Sequence, residues 1–123
     1  MNPFHPTGQH LLADLFGIAP DKLSDAGLIE ALLRHSALSA GATILHSHFH
    51  SFGSGQGITG VLLLAESHIS IHTWPENGFA AVDIFMCGAS QPQQALELIL
   101  TAFKAGSHTR QVVVRGSAEK GIC

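Results

Sequence analysis

The sequence has no tyrosine, a single tryptophan and few charges. Phenylalanine carries most of its aromatic count. Charged residues fill only 12% of the 123 positions, against 46% for hydrophobic ones. So little charge excludes an intrinsically disordered chain, whose weak hydrophobicity would leave it unfolded. It also points to a surface partly covered by a second subunit. The six Lys and Arg residues are scattered and the formal net charge is −3. That removes the basic patch a nucleic-acid partner requires. No apolar run approaches the length of a membrane span. The opening MNPFHPTGQH lacks the basic-then-apolar order of a secretory signal. Cysteine is scarce too: Cys87 lies in an internal apolar segment and Cys123 is the last residue. Two such residues make no disulfide framework and suit a reducing compartment. The expectation is one cytoplasmic domain over residues 1–123, with no membrane and no nucleic acid among its partners.

Hydrophobic periodicity supplies the elements. After a flexible start, His10 to Phe16 reads as a strand, and Pro20-Asp21 as a turn. Ser24 or Asp25 caps a helix running to about Ala40, with Gly41 in the C′ position. Leu28, Ile29, Leu32 and Leu33 share one face of it. Ala42 to Phe52 alternates as a strand, and the glycine-rich loop Gly53 to Gly57 follows. Ile58 to Ala65 is an apolar strand, interrupted at Glu66-Ser67. His68 to Thr73 resumes extended alternation, Pro75 to Gly78 turns, and Phe79 to Cys87 is a further strand. Ser90 caps a second helix, with Pro92 in its first turn and Gly106 at its end. Thr109 to Arg115 is the last strand, and a loose polar tail begins at Gly116. Short links between the middle strands favour antiparallel pairing. Two helices suffice to cover one face. The predicted fold is α+β: a two-layer sandwich, an antiparallel sheet with two helices on one face. Its other face needs solvent or a partner, and a second copy of the chain is the expected one.

Chemistry concentrates between Ala65 and Glu76, where Ser67, His68, His72, Glu66 and Glu76 crowd a strand break. Cys87 follows one strand later. A hydroxyl, an imidazole and a thiol support nucleophilic or acid–base chemistry. Ser67 has no G-x-S-x-G elbow around it. The residues alone therefore leave the reaction open, and a serine beside a histidine is commonly just a polar pair at a strand end.

The segment GITGVLLLAESHISIHTWPENGFAAVDIFMCG resembles the prokaryotic S-adenosylmethionine decarboxylases, with ESH-x-x-IHTWPE its most specific part. GQHLLADLFG resembles that family's opening strand, and Ser39 to Leu45 matches as well. The likeness runs from about Gly8 to Arg115. It implies a proenzyme cut by its own Ser67 hydroxyl at the Glu66–Ser67 bond, into residues 1–66 and 67–123. The cofactor implied is a pyruvoyl group derived from Ser67. It would take the α-amine of S-adenosylmethionine as a Schiff base and act as the electron sink for loss of carbon dioxide. The product would be the aminopropyl donor for spermidine synthesis. The resemblance makes His72 and Thr59 the processing residues, with a threonine where many relatives have serine. It makes Cys87 the proton donor in turnover, Phe52 the ring stacked on adenine, and Glu76 the carboxylate on the ribose. It implies a homodimer with active sites at its interface.

Other readings stand beside this one. Related pyruvoyl enzymes act on arginine or ornithine, and the Gly53–Gly57 loop, Asn77, Phe79 and Met86 depart from the family pattern near the presumed site. His46, His48 and His50 share a strand face, so a histidine-rich metal-binding module is an alternative without catalysis. The pyruvoyl chemistry needs no metal. A catalytically dead regulatory partner is a third, disfavoured by the presence of Glu66, Ser67, His72 and Cys87. Trp74 reads as packing, and GSGQG is no phosphate loop.

Overall fold

The computed structural model describes residues 8–116. The flexible start and most of the loose tail expected from the sequence lie outside those residues. Six strands form one sheet: β1 (Gly8–Phe16), β2 (Ile44–Ser51), β3 (Ile58–Leu64), β4 (Ser67–Trp74), β5 (Phe79–Met86) and β6 (Ser107–Arg115). Their order is β2-β3-β4-β5-β1-β6 and every neighbouring pair is antiparallel. Three helices accompany them: α1 (Pro20–Leu23), α2 (Ala26–Ser39) and α3 (Pro92–Phe103). The predicted α+β two-layer sandwich is therefore present, with α2 and α3 as its main helices.

Alternation decides which face is covered. On β1, β3, β4 and β5, one parity carries Leu11, Ala13 and Leu15, Ile58 and Leu62, Ile69 and Ile71, Ala80, Val82 and Ile84, all buried. The helices close this core with Ile29, Leu33, Ala95, Ile99 and Phe103. Full burial of a side chain such as Ile71 contributes about 1.5–3 kcal/mol. The opposite parity presents His46, His48 and His50 on β2, Thr59 and Leu63 on β3, and His68, His72 and Trp74 on β4. No element of the described residues covers that face.

Local details refine the sequence reading. The Pro20-Asp21 turn is the short helix α1. Asp25 rather than Ser24 caps α2, its Oδ1 accepting the Leu28 N–H at 3.0 Å. Ser90 is not the cap of α3; Gln91 holds that position, and its Oε1 accepts from the Gln94 side chain rather than from a backbone N–H of the first turn. The strand break at Glu66-Ser67 is a two-residue hairpin turn, because Leu64 pairs directly with Ser67. Only Ala65 and Glu66 lie outside the ladder.

Candidate active site

The residues singled out by the sequence fall into two groups at opposite ends of β4. The first surrounds the Ala65–Glu66 turn. Ser67 opens β4 with φ +149°, a positive value for a residue with a side chain. Such a backbone costs about 1–3 kcal/mol. Its partners on both sides hold it there: Ser67 pairs with Leu64 on β3 and with Met86 on β5. The Glu66 carbonyl accepts the Cys87 backbone N–H at 3.2 Å. The Ser67 Oγ lies 3.7 Å from the Cys87 Sγ. Cys87 is buried, just past the end of β5.

The expectation of two reduced cysteines is corrected here: Cys87 is disulfide-bonded. The chain's other cysteine, Cys123, lies outside the described residues. A disulfide sulfur has no proton, so at 3.7 Å the Ser67 hydroxyl is the donor.

The second group lies where β4 ends. The Thr59 Oγ1 and the His72 Nδ1 are 3.1 Å apart, on residues that pair across β3 and β4. His50 pairs with Thr59 from the other side and meets the Phe52 ring edge-on, centroids 4.7 Å apart. A cleft of about 320 Å3 opens here, lined by Phe52, Gln56, Thr59, His72, Trp74 and Glu76 among others. Its volume is at the low end for small-molecule sites. Gly57 belongs to its wall, and a Cβ there would run into the Thr73 carbonyl. Thr73 is itself pinned, its hydroxyl donating to the Leu23 carbonyl at 2.6 Å and accepting the Ile58 N–H at 2.8 Å.

Trp74 does more than the packing role read from the sequence. It forms part of this cleft, stacked on Phe79, which stacks on Phe16 at 5.4 Å. The alternation of β4 could have revealed this, since Trp74 shares parity with His72.

Sequence proximity thus misleads on one point. Ser67 and His72 are five residues apart along one strand, about 16 Å at the usual rise. Thr59, His72, Phe52 and Glu76 come together; Glu66, Ser67 and Cys87 come together; the two groups do not meet within the chain.

His46, His48 and His50 do not converge either. Among the described residues, no group of three His, Cys, Asp or Glu side chains could hold a metal ion. No described helix is long and apolar enough to cross a membrane.

The family model described as S-adenosylmethionine decarboxylase matches residues 9–116. The S-adenosylmethionine decarboxylase proenzyme of Caldicellulosiruptor saccharolyticus is 44% identical over 119 residues, 96% of this chain and 95% of that one. The proenzyme of the same name from Acetivibrio thermocellus is 43% identical over 116 residues, 94% and 93% of the two chains. The crystal structure of the adenosylmethionine decarboxylase from Aquifex aeolicus superposes with a TM-score of 0.81 at 42% identity, covering 94% of this chain and 92% of that one. These matches put the chain among decarboxylases built on a two-layer α+β scaffold. It belongs to the S-adenosylmethionine decarboxylase family.

Proposed function

We propose that the chain is a proenzyme that cuts itself at Glu66–Ser67 and then decarboxylates S-adenosylmethionine. The Ser67 hydroxyl attacks the Glu66 carbonyl carbon. The C–N bond breaks, nitrogen takes up a proton, and the peptide becomes an ester. Loss of the Ser67 α-proton expels residue 66 as a carboxylate. Tautomerisation and uptake of one water release ammonia and leave a pyruvoyl group at position 67. The observation that carries this reading is the turn itself. A positive φ at Ser67, next to a carbonyl already polarised by the Cys87 N–H, favours attack on that peptide.

Once formed, the pyruvoyl group supplies the electron sink for loss of carbon dioxide. The chain's own side chains do the rest. Phe52 and Trp74 offer aromatic walls to adenine, and the Glu76 carboxylate accepts the ribose hydroxyls. Cys87 delivers a proton to the substrate carbon, which requires its disulfide to be reduced. His72 and Thr59 move the proton during self-cleavage.

These roles need both groups in one place, and a single chain holds them about 16 Å apart. A second copy laid on the uncovered face with its strands reversed would bring the Thr59–His72 pair of one chain to the Ser67 turn of the other. A homodimer is therefore the expected working form. The exposed Leu63 and Trp74 on that face would be buried by it.

Intact-mass spectrometry of the denatured protein tests the reading. Two chains are expected, residues 1–66 and a blocked 67–123. A single mass for residues 1–123, unchanged on long incubation, would rule out self-cleavage. Decarboxylation of labelled S-adenosylmethionine, arginine and ornithine then assigns the substrate, with the first expected to turn over.

A further inference from the structure

In the reading above, Glu66 supplies only the carbonyl that is attacked. Its side chain has a separate place in the structure. The Thr43 N–H donates to the Glu66 Oε1 at 2.9 Å. The Thr43 carbonyl accepts the Ala65 N–H, also at 2.9 Å. Both residues of the hairpin turn are thus tied to one residue of the segment joining α2 to β2. That segment is anchored in turn, for the Ala42 N–H donates to the Ala37 carbonyl at 3.0 Å and both residues are buried. On its other side the turn meets the Cys87 N–H.

An Ala-Glu pair has no intrinsic preference for a two-residue hairpin, where glycine and asparagine dominate. The turn therefore owes its shape to its partners.

We propose that the Glu66 side chain is a positioning residue for self-cleavage. Its grip on the Thr43 N–H keeps the scissile turn seated, so that the Glu66 carbonyl stays on the Cys87 N–H while the Ser67 hydroxyl attacks. This rests on the self-cleavage reading. As the Oγ–C bond forms and the hydroxyl proton leaves, negative charge gathers on the carbonyl oxygen that faces the Cys87 N–H. The C–N bond then breaks and nitrogen takes up a proton. After elimination the same carbon becomes the terminal carboxylate of residue 66. The Thr43 and Cys87 amides then face the two carboxylates of that residue, and the end of the first chain stays docked beside position 67.

What the site needs from residue 66 is an acceptor that reaches Thr43, rather than a charge. Cleavage is followed by intact mass over time in the unaltered chain and in Glu66→Gln, Glu66→Asp and Glu66→Ala, with the melting temperature of each as a check on folding. Glu66→Gln keeps an acceptor of the same length and should cleave within about threefold of the unaltered rate. Glu66→Ala should slow cleavage about tenfold or more, and its uncut chain should resist hydroxylamine, because the delay precedes the ester. Glu66→Asp, one methylene short, should fall on the slow side and serves if the alanine variant fails to fold. Equal rates for Glu66→Ala and the unaltered chain would overturn the positioning role alone. So would a glutamine variant as slow as the alanine one. An unaltered chain that never cleaves would remove the self-cleavage reading and this role with it.

Discussion

The two ends of β4 are built differently. At its start, Ser67 has a positive φ and its turn is tied to Thr43 and Cys87 by backbone bonds, beside the buried sulfur of Cys87. At its end, Trp74 and the nearby Phe52 stand 40% and 63% exposed around an open cleft, with the Thr59–His72 pair in its lining. The first end holds a backbone in an unfavourable shape with bonds from two neighbouring segments. The second offers aromatic surface and an imidazole to something that arrives. Neither is complete: among the described residues no imidazole bonds the Ser67 hydroxyl at the strained end, and the open end lies about 16 Å away from that hydroxyl along the strand.

The largest effect should come from disabling one end in each of two chains. Ser67→Ala alone should abolish cleavage, and His72→Ala alone should stall it. Co-expressed, the two variants should form mixed dimers in which the His72→Ala chain is cut by the partner's intact histidine. Intact mass would reveal its fragments at up to about half the normal yield. Complete absence of cut chain in a demonstrated mixed dimer would mean that the two ends do not work in trans.

A smaller effect separates making the group from using it. Cys87→Ala keeps the backbone N–H on the Glu66 carbonyl, so the chain should still be cut. Turnover should fall about a hundredfold or more, as expected for loss of a proton donor. Added reductant should raise turnover of the unaltered enzyme and leave cleavage unchanged. Full activity of the alanine variant would hand protonation to another group.

The smallest effect concerns stability. The His68 imidazole is held below the ordinary histidine value, first by burial and next by the charge of His10; Asp83 opposes this and Arg115 adds to it. As pH falls through about 6.5, the unfolded chain takes up a proton at His68 before the folded one does. This contribution to stability is whole above that value. It shrinks as pH falls and levels off below the lowered folded value. Melting temperature should therefore drop as pH falls below about 6.5, and His68→Gln should flatten the slope. An unchanged slope would shift the dependence to the other histidines of that face.

Much of the fold was legible because its signals are local. Alternation at Ile69, Ile71 and Thr73 and helical spacing at Ile29, Leu32 and Leu33 define their buried faces whatever lies opposite. Helix caps were less legible. Ser24 and Asp25 are both capable caps, but Ser24 closes α1, its hydroxyl donating to the Pro20 carbonyl, and Asp25 is left to cap α2. At α3, Pro92 in the first turn was readable, whereas the absence of a side-chain cap was not. The site was legible as a set of residues, with ESH-x-x-IHTWPE and Cys87 carrying most of it. Its division into two groups was hidden, since residues five apart in sequence invite the assumption of contact.

Side-chain period and residue type, which are properties of the chain alone, were enough for the strands, the two main helices, the covered face and the chemistry-bearing residues. The folded sheet set the rest: how far apart Ser67 and His72 stand, that the Glu66 carbonyl accepts from the Cys87 amide, and that Trp74 borders a cleft. Those facts depend on strand register and on which segments pair, and register is set by the packing of the whole sheet.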